Sequence, residues 1–182
     1  LFSLDGFLAA ENKSKQLNFV SVQTDGIAEL GKHNQVLKDS NVVLLLSTTN
    51  EHAMPALRQA FILLKQMKMD VPVVIHRTYD GLTEEQFQLY ASTDLGALLL
   101  DGFGDGVMIS STTSISPQKL NSLAFGILQA ARTRISKTEY ISCPSCGRTL
   151  FDLQETTQKI RERTDHLKGI KIGIMGCIVN GP

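Results

Sequence analysis

Tryptophan is absent from this sequence, and aromatic residues make up only 6% of it, so no aromatic-rich binding surface is foreseen. Net charge is absent too. Eighteen basic residues balance eighteen acidic ones, and the basic residues form no run. A nucleic-acid-binding domain normally carries a positive face or stripe, so that class of partner is excluded from the reading. Long hydrophobic stretches are also missing. The longest, "VVLLL" and "GALLL", fall far short of the roughly 20 residues a membrane-spanning helix needs, so a soluble chain is expected. There is no initiator methionine and no charged-then-apolar leader, and the sequence stops on a turn, "NGP". An internal piece of a longer protein is the expectation. Cysteine is scarce and odd in number. Three cysteines without a regular framework point away from a disulfide-bonded secreted domain and towards a reducing compartment, where thiols serve as metal ligands or redox groups.

What is present is a repeated apolar rhythm. Four short segments, "NFVSVQ", "NVVLLLS", "VPVVIH" and "LGALLL", recur at intervals of about 23 to 30 residues. Each is apolar throughout rather than alternating, which is how a parallel strand buried on both faces reads. Helical patterns lie between them. Pro55 suits a first turn, with Leu57, Ala60, Phe61 and Leu64 on one face, and Thr83 with Gln86 forms a capping box ahead of Phe87 and Tyr90. "DGFGDGV" has glycines in a GxGxG order rather than GxGxxG and reads as a tight turn into a further strand, "VMIS". Ser116 and Pro117 then open a helix whose stripe is Leu120, Leu123, Ala124, Ile127, Leu128 and Ala131. The fold class expected is α/β, with parallel βα units forming part of a TIM-barrel-like unit, followed by a smaller, incomplete α/β domain. The boundary is placed at residue 136, giving domains 1–136 and 137–182.

The second domain holds the chemistry. A strand "EYIS" runs into "CPSCGR", a helix is expected from about Thr149 to His166, and a strand "IKIGIMG" leads to Cys177. A C-x₂-C turn stiffened by Pro144 aims two sulfurs one way, and a parallel neighbour ending at Gly176-Cys177 brings a third to the same edge. Three soft thiolates suit an iron–sulfur cluster with one outside ligand, or structural zinc as Cys₃His with His166 as the nearest histidine. A thioredoxin-like dithiol is the other redox reading, and it leaves Cys177 unused. Three unrelated buried cysteines are the bland alternative.

"TEYISCPSCGRTLFDLQE" and "GIMGCIVNGP" together resemble the 4-hydroxy-3-methylbut-2-enyl diphosphate synthase family, in its longer plant-type form with an extra barrel-like domain. The match is dense from about Asp101 to Pro182; residues 1–100 are compatible with the insert. The resemblance implies that Cys143, Cys146 and Cys177 hold a [4Fe–4S] cluster whose fourth ligand is a glutamate beyond Pro182. It implies that Asn180 and Ser110 contact substrate, with Met108 standing where the family has an arginine. Also implied are a cyclic diphosphate of methylerythritol as substrate and a two-electron reductive ring opening with loss of water. Ferredoxin or flavodoxin would be the electron donor, and the location the bacterial cytoplasm or the plastid stroma. His33, His52 and His76 fall in the insert and read as structural; His76 and Arg77, at a strand's carboxyl end, are the pair singled out for testing. Arg148 either offsets the cluster's charge or is a surface arginine.

Overall fold

The computed structural model describes residues 1–38, 41–112, 115–146, 149 and 151–176. It divides into two units, Leu1–Ala131 and Arg132–Pro182. In the first, strand β1 (Phe2–Ser3) leads into helix α1 (Leu4–Ala9), then β2 (Asn18–Gln23), α2 (Ile27–Leu30), α3 (Asn34–Lys38), β3 (Val42–Ser47) and α4 (Ala53–Gln66). These are followed by β4 (Val73–Tyr79), α5 (Glu84–Leu100), β5 (Gly106–Ser111) and α6 (Pro117–Ala130). The five strands lie side by side in sequence order, and every pair is parallel. Chain order equal to spatial order is the winding of a barrel, because each crossover steps the same way; a doubly wound sheet reverses at its centre.

The core shows which face the helices cover. Val20, Val22, Leu44, Leu46, Val73, Ile75 and Tyr79 join Leu57, Phe61, Leu64, Phe87, Ala91, Leu95 and Leu98 in one cluster. Leu45, between two members, is buried but outside that cluster, as strand alternation requires. Residues of its parity occupy the opposite face of the sheet: Ser21, Gln23, Val43 and Ser47, then Val74, His76, Thr78, Met108 and Ser110 by register.

One expected strand is a helix. "LGALLL" forms the last turns of α5, whose Thr83 cap accepts from the Gln86 amide while the Gln86 side chain accepts from the Thr83 amide. Once started there, the helix runs 17 residues, and Leu95, Leu98 and Leu99 fall on its buried face at helical spacing. "VMIS" is the strand that takes the fourth position in the rhythm, as β5. Helix α4 buries the four residues expected of it. Helix α6 begins at Ser116 and Pro117 as expected, but only Ile127 of its stripe is buried; the other five are half-buried.

The "DGFGDGV" turn is structural. Gly102 and Gly104 adopt positive φ, and Phe103 stacks on Phe61 at 5.2 Å. A Cβ on Gly104 would press into Ile75 at 2.8 Å. Asp105 returns the chain to the sheet: its carboxylate accepts from the Val73 amide at 2.8 Å, and its own amide donates to the Val73 carbonyl at 2.7 Å.

The second unit contains β6 (Glu139–Ser142), α7 (Leu153–Thr164) and β7 (Lys171–Ile174), with the two strands parallel over four residue pairs. Its helix starts at the Asp152 cap, four residues later than expected. The Thr138 hydroxyl donates to the Leu167 carbonyl, and Tyr140 bonds Thr164 at 2.8 Å. Arg161 lies over the Tyr140 ring at 5.0 Å. Among the described residues of this unit, only Thr138, Leu153 and Ile174 are buried.

Candidate metal centre

Parallel pairing of β6 with β7 sends both strands out over one edge, and the cysteine loop starts there. The Cys143 amide donates to the Ile174 carbonyl at 3.3 Å, so the first cysteine extends the ladder by one bond. Pro144 follows, then Ser145 in the left-handed region at φ 69°, a conformation a serine adopts at some cost. The Thr149 amide donates to the Cys146 carbonyl at 3.0 Å and closes the turn. Cys143 is half-buried and Cys146 exposed, and both are free thiols.

An open cavity of about 570 Å³ adjoins the loop. Ser142, Cys143, Pro144 and Ser145 line one side; Phe151, Asp152, Leu153, Gln154, Thr157, Gln158 and Arg161 line the other. Gly176 is the last described residue on the exit from β7. A Cβ there would overlap the Phe151 ring, so any other residue requires that half-exposed ring to move aside. Cys177 and Asn180, along with Arg148, lie outside the described residues. Among the described residues, no group of three or more His, Cys, Asp or Glu side chains converges on one point.

The donors present fit a soft-metal group. Two thiols stand on one loop beside a cavity, and the parallel edge that carries them also carries the strand leading to Cys177.

Two alternatives lose their footing. His166 is exposed and follows the far end of α7, about 18 Å along a 12-residue helix from the cysteine loop. It does not complete a Cys₃His site. The dithiol reading needs a helix to begin at the CxxC, and α7 begins seven residues after Cys146.

In the first unit, Ser110 and His76 meet across neighbouring strands, with His76 Nε2 3.1 Å from Ser110 Oγ and 3.4 Å from Thr78 Oγ1. Burial, with Arg77 beside it, holds the His76 imidazole below its ordinary value, so it is neutral at pH 7. Arg77 points to the helical face. Its Nε donates to Asp94 at 3.2 Å and its Nη1 to the Thr48 carbonyl at 3.0 Å, and Tyr79 donates to the same Asp94 at 3.0 Å. Arg77 and Asp94 are only 13% and 19% exposed, so Arg77 is a structural ion pair. Sequence reasoning did not find Asp94; nothing local marks it.

Residues 139–182 match the family described as GcpE protein C-terminal domain. The chain is 55% identical over 149 residues to the 4-hydroxy-3-methylbut-2-en-1-yl diphosphate synthase (flavodoxin) of Parabacteroides distasonis, covering 81% of this chain and 24% of that protein. The protein of the same name from Porphyromonas gingivalis is 50% identical over 143 residues, 79% of this chain and 24% of its own. That of Phocaeicola vulgatus is 42% identical over 166 residues, 91% and 26%. The chain therefore spans about a quarter of the length of these relatives, and it is homologous to that stretch of them.

Proposed function

We propose that this chain, homologous to a stretch of the 4-hydroxy-3-methylbut-2-en-1-yl diphosphate synthases, is the insert and the first part of the cluster domain of such an enzyme. The observation that carries this is identity of 55% across four-fifths of the chain, in which the CPSC turn follows β6, the parallel neighbour of β7. The whole protein would open the cyclic diphosphate of methylerythritol by two-electron reduction with loss of water. Flavodoxin is the donor named for the relatives, and we assign it here.

Cys143, Cys146 and Cys177 would hold a [4Fe–4S] cluster with a glutamate beyond Pro182. When bound, the cluster supplies single electrons and a Lewis-acidic iron for the departing hydroxyl. The remaining work belongs to the chain. Pro144 and the left-handed Ser145 fix the path between the first two thiols. The Cys143 amide's bond to Ile174 ties that loop to β7. Asp152 caps α7 by accepting from the Glu155 amide at 2.9 Å, which sets the far wall of the cavity. Asn180, beside the third thiol in sequence, and Ser110, on the sheet edge of the first unit, are the residues assigned to substrate.

The test is anaerobic reconstitution of the full-length protein with iron and sulfide. A brown species with broad absorbance, and product formed from the cyclic diphosphate, are expected. Cys143→Ser should lose iron and turnover together; unchanged iron content and turnover in that variant would sink the ligand assignment. Bound zinc without iron or sulfide would favour a zinc-stabilised structural domain instead.

A further inference from the structure

The carboxyl ends of β2, β3 and β4 surround a second open cavity, of about 480 Å³. None of its lining residues is assigned to the reaction proposed above, although Ser110, assigned there to substrate, bonds His76 of the lining. It sits where parallel βα sheets hold ligands, because side chains and loops converge at that end while the opposite end serves packing. Its place on the non-helical face is also telling. Lower on that face the residues are apolar, as with Val43, Leu45 and Val74; at the rim they turn to Gln23, Ser47, His76 and Thr78. The cavity itself is lined by this polar rim and by the residues that follow β3, Thr48 to Glu51.

The lining sets the chemical class. Hydroxyl and amide side chains predominate, each able to donate and accept. His76 contributes a neutral ring. Among the described lining residues, the one cation, Arg77, is committed to Asp94 and to the Thr48 carbonyl, and it brings no uncompensated charge. Glu51 adds a carboxylate. A phosphate or carboxylate would meet this negative charge with nothing to offset it. Among the described residues, no aromatic ring lines the cavity, so a pyranose has no platform there for its apolar face.

We propose that this rim binds a small, uncharged, acyclic polyhydroxylated molecule, held by Gln23, Ser47, Asn50, His76 and Thr78. The structure prepares the loop for it. Thr24 donates to the buried Thr48 hydroxyl at 2.9 Å, which accepts from the Asn50 amide at 3.1 Å. Asn50 Oδ1 in turn accepts from the His52 amide at 2.8 Å, which fixes the side-chain amide of this lining residue. Ser110 bonds His76 from β5 and lies outside the lining, so it steadies the ring. The inference stands independently of the cluster chemistry.

The experiment uses full-length protein and erythritol as probe, with affinity read by calorimetry or saturation-transfer NMR. Wild type should bind erythritol, and Ser47→Ala and His76→Ala should each weaken it by about tenfold, the effect of losing one well-placed polar contact. Thr49→Val guards against misfolding, because Thr49 is exposed and its replacement leaves the fold intact while removing a lining hydroxyl; it should also weaken binding. Turnover of the cyclic diphosphate would proceed in Thr49→Val as in wild type. Absence of erythritol binding overturns the proposal, as does equal binding by all three variants. Competition by inorganic phosphate that these substitutions abolish overturns the uncharged class and makes the rim an anion site.

Discussion

At the scale of single residues, the clearest constraint is Gly176. It precedes a cysteine, and a ring stands where its side chain would be. Gly176→Ala should lower the iron content of the reconstituted full-length protein, and Phe151→Ala in the same chain should restore it, since the ring is the obstacle. Failure of the second change to rescue the first would show that the glycine serves something other than room. Ser145 poses the converse case: its left-handed φ is one that glycine adopts freely, so Ser145→Gly should be tolerated and Ser145→Val should not. His76 carries a pH signature. Its folded pKa is depressed, so the unfolded state binds more protons as pH falls below about 6.5. Stability from this group is full above that value and declines below it. Urea midpoints between pH 7.5 and 5 should fall more steeply for wild type than for His76→Gln; parallel curves would remove His76 from the explanation.

At the scale of elements, helix α5 shows how a start signal overrides a local pattern. The six residues of "LGALLL" read equally well as a strand or a buried helical turn, because continuous apolar character has no period of its own. The capping box at Thr83 decides it from a distance of more than ten residues, by making propagation cheap once the first turn is in place. Thr83→Ala should destabilise the protein by about 1 kcal/mol in denaturant titration. A change near zero would assign the helix to tertiary packing alone. Strands β2 to β4 were readable because each is flanked by turn or helix signals and is rich in branched residues. Asp94 was not readable, since its partners Arg77 and Tyr79 lie on another element and only assembly brings them within 3.2 Å.

At the scale of the whole molecule, zero net charge hides an asymmetry. Residues 1–131 hold nine Lys and Arg against thirteen Asp and Glu; residues 132–182 hold nine against five. Residues 132–182 are thus net positive, which on the function proposed above would favour approach of an acidic electron carrier. Reduction of the reconstituted full-length enzyme by flavodoxin should slow as ionic strength rises, because screening weakens that attraction. A rate indifferent to salt would count against this unit as the docking surface. Arg132 is exposed and adopts a positive φ, so limited trypsin digestion should cut there early, with mass spectrometry reporting the fragments. Early cuts elsewhere would contradict the two-unit division.

Local signals were enough, in this chain, to establish the parallel α/β class, three of the strands in the main rhythm, the caps of α5 and α6, and a two-cysteine turn at a strand end. Each of these depends on residues only a few positions apart, where propensity and capping act. Tertiary structure alone decided that α6 is only half covered and that His166 stands a helix length from the thiols. It also brought Ser110 to His76 and gathered a polar rim from three strands. Such outcomes rest on pairings between residues far apart in the chain, which no local period encodes and only the closing of the sheet determines.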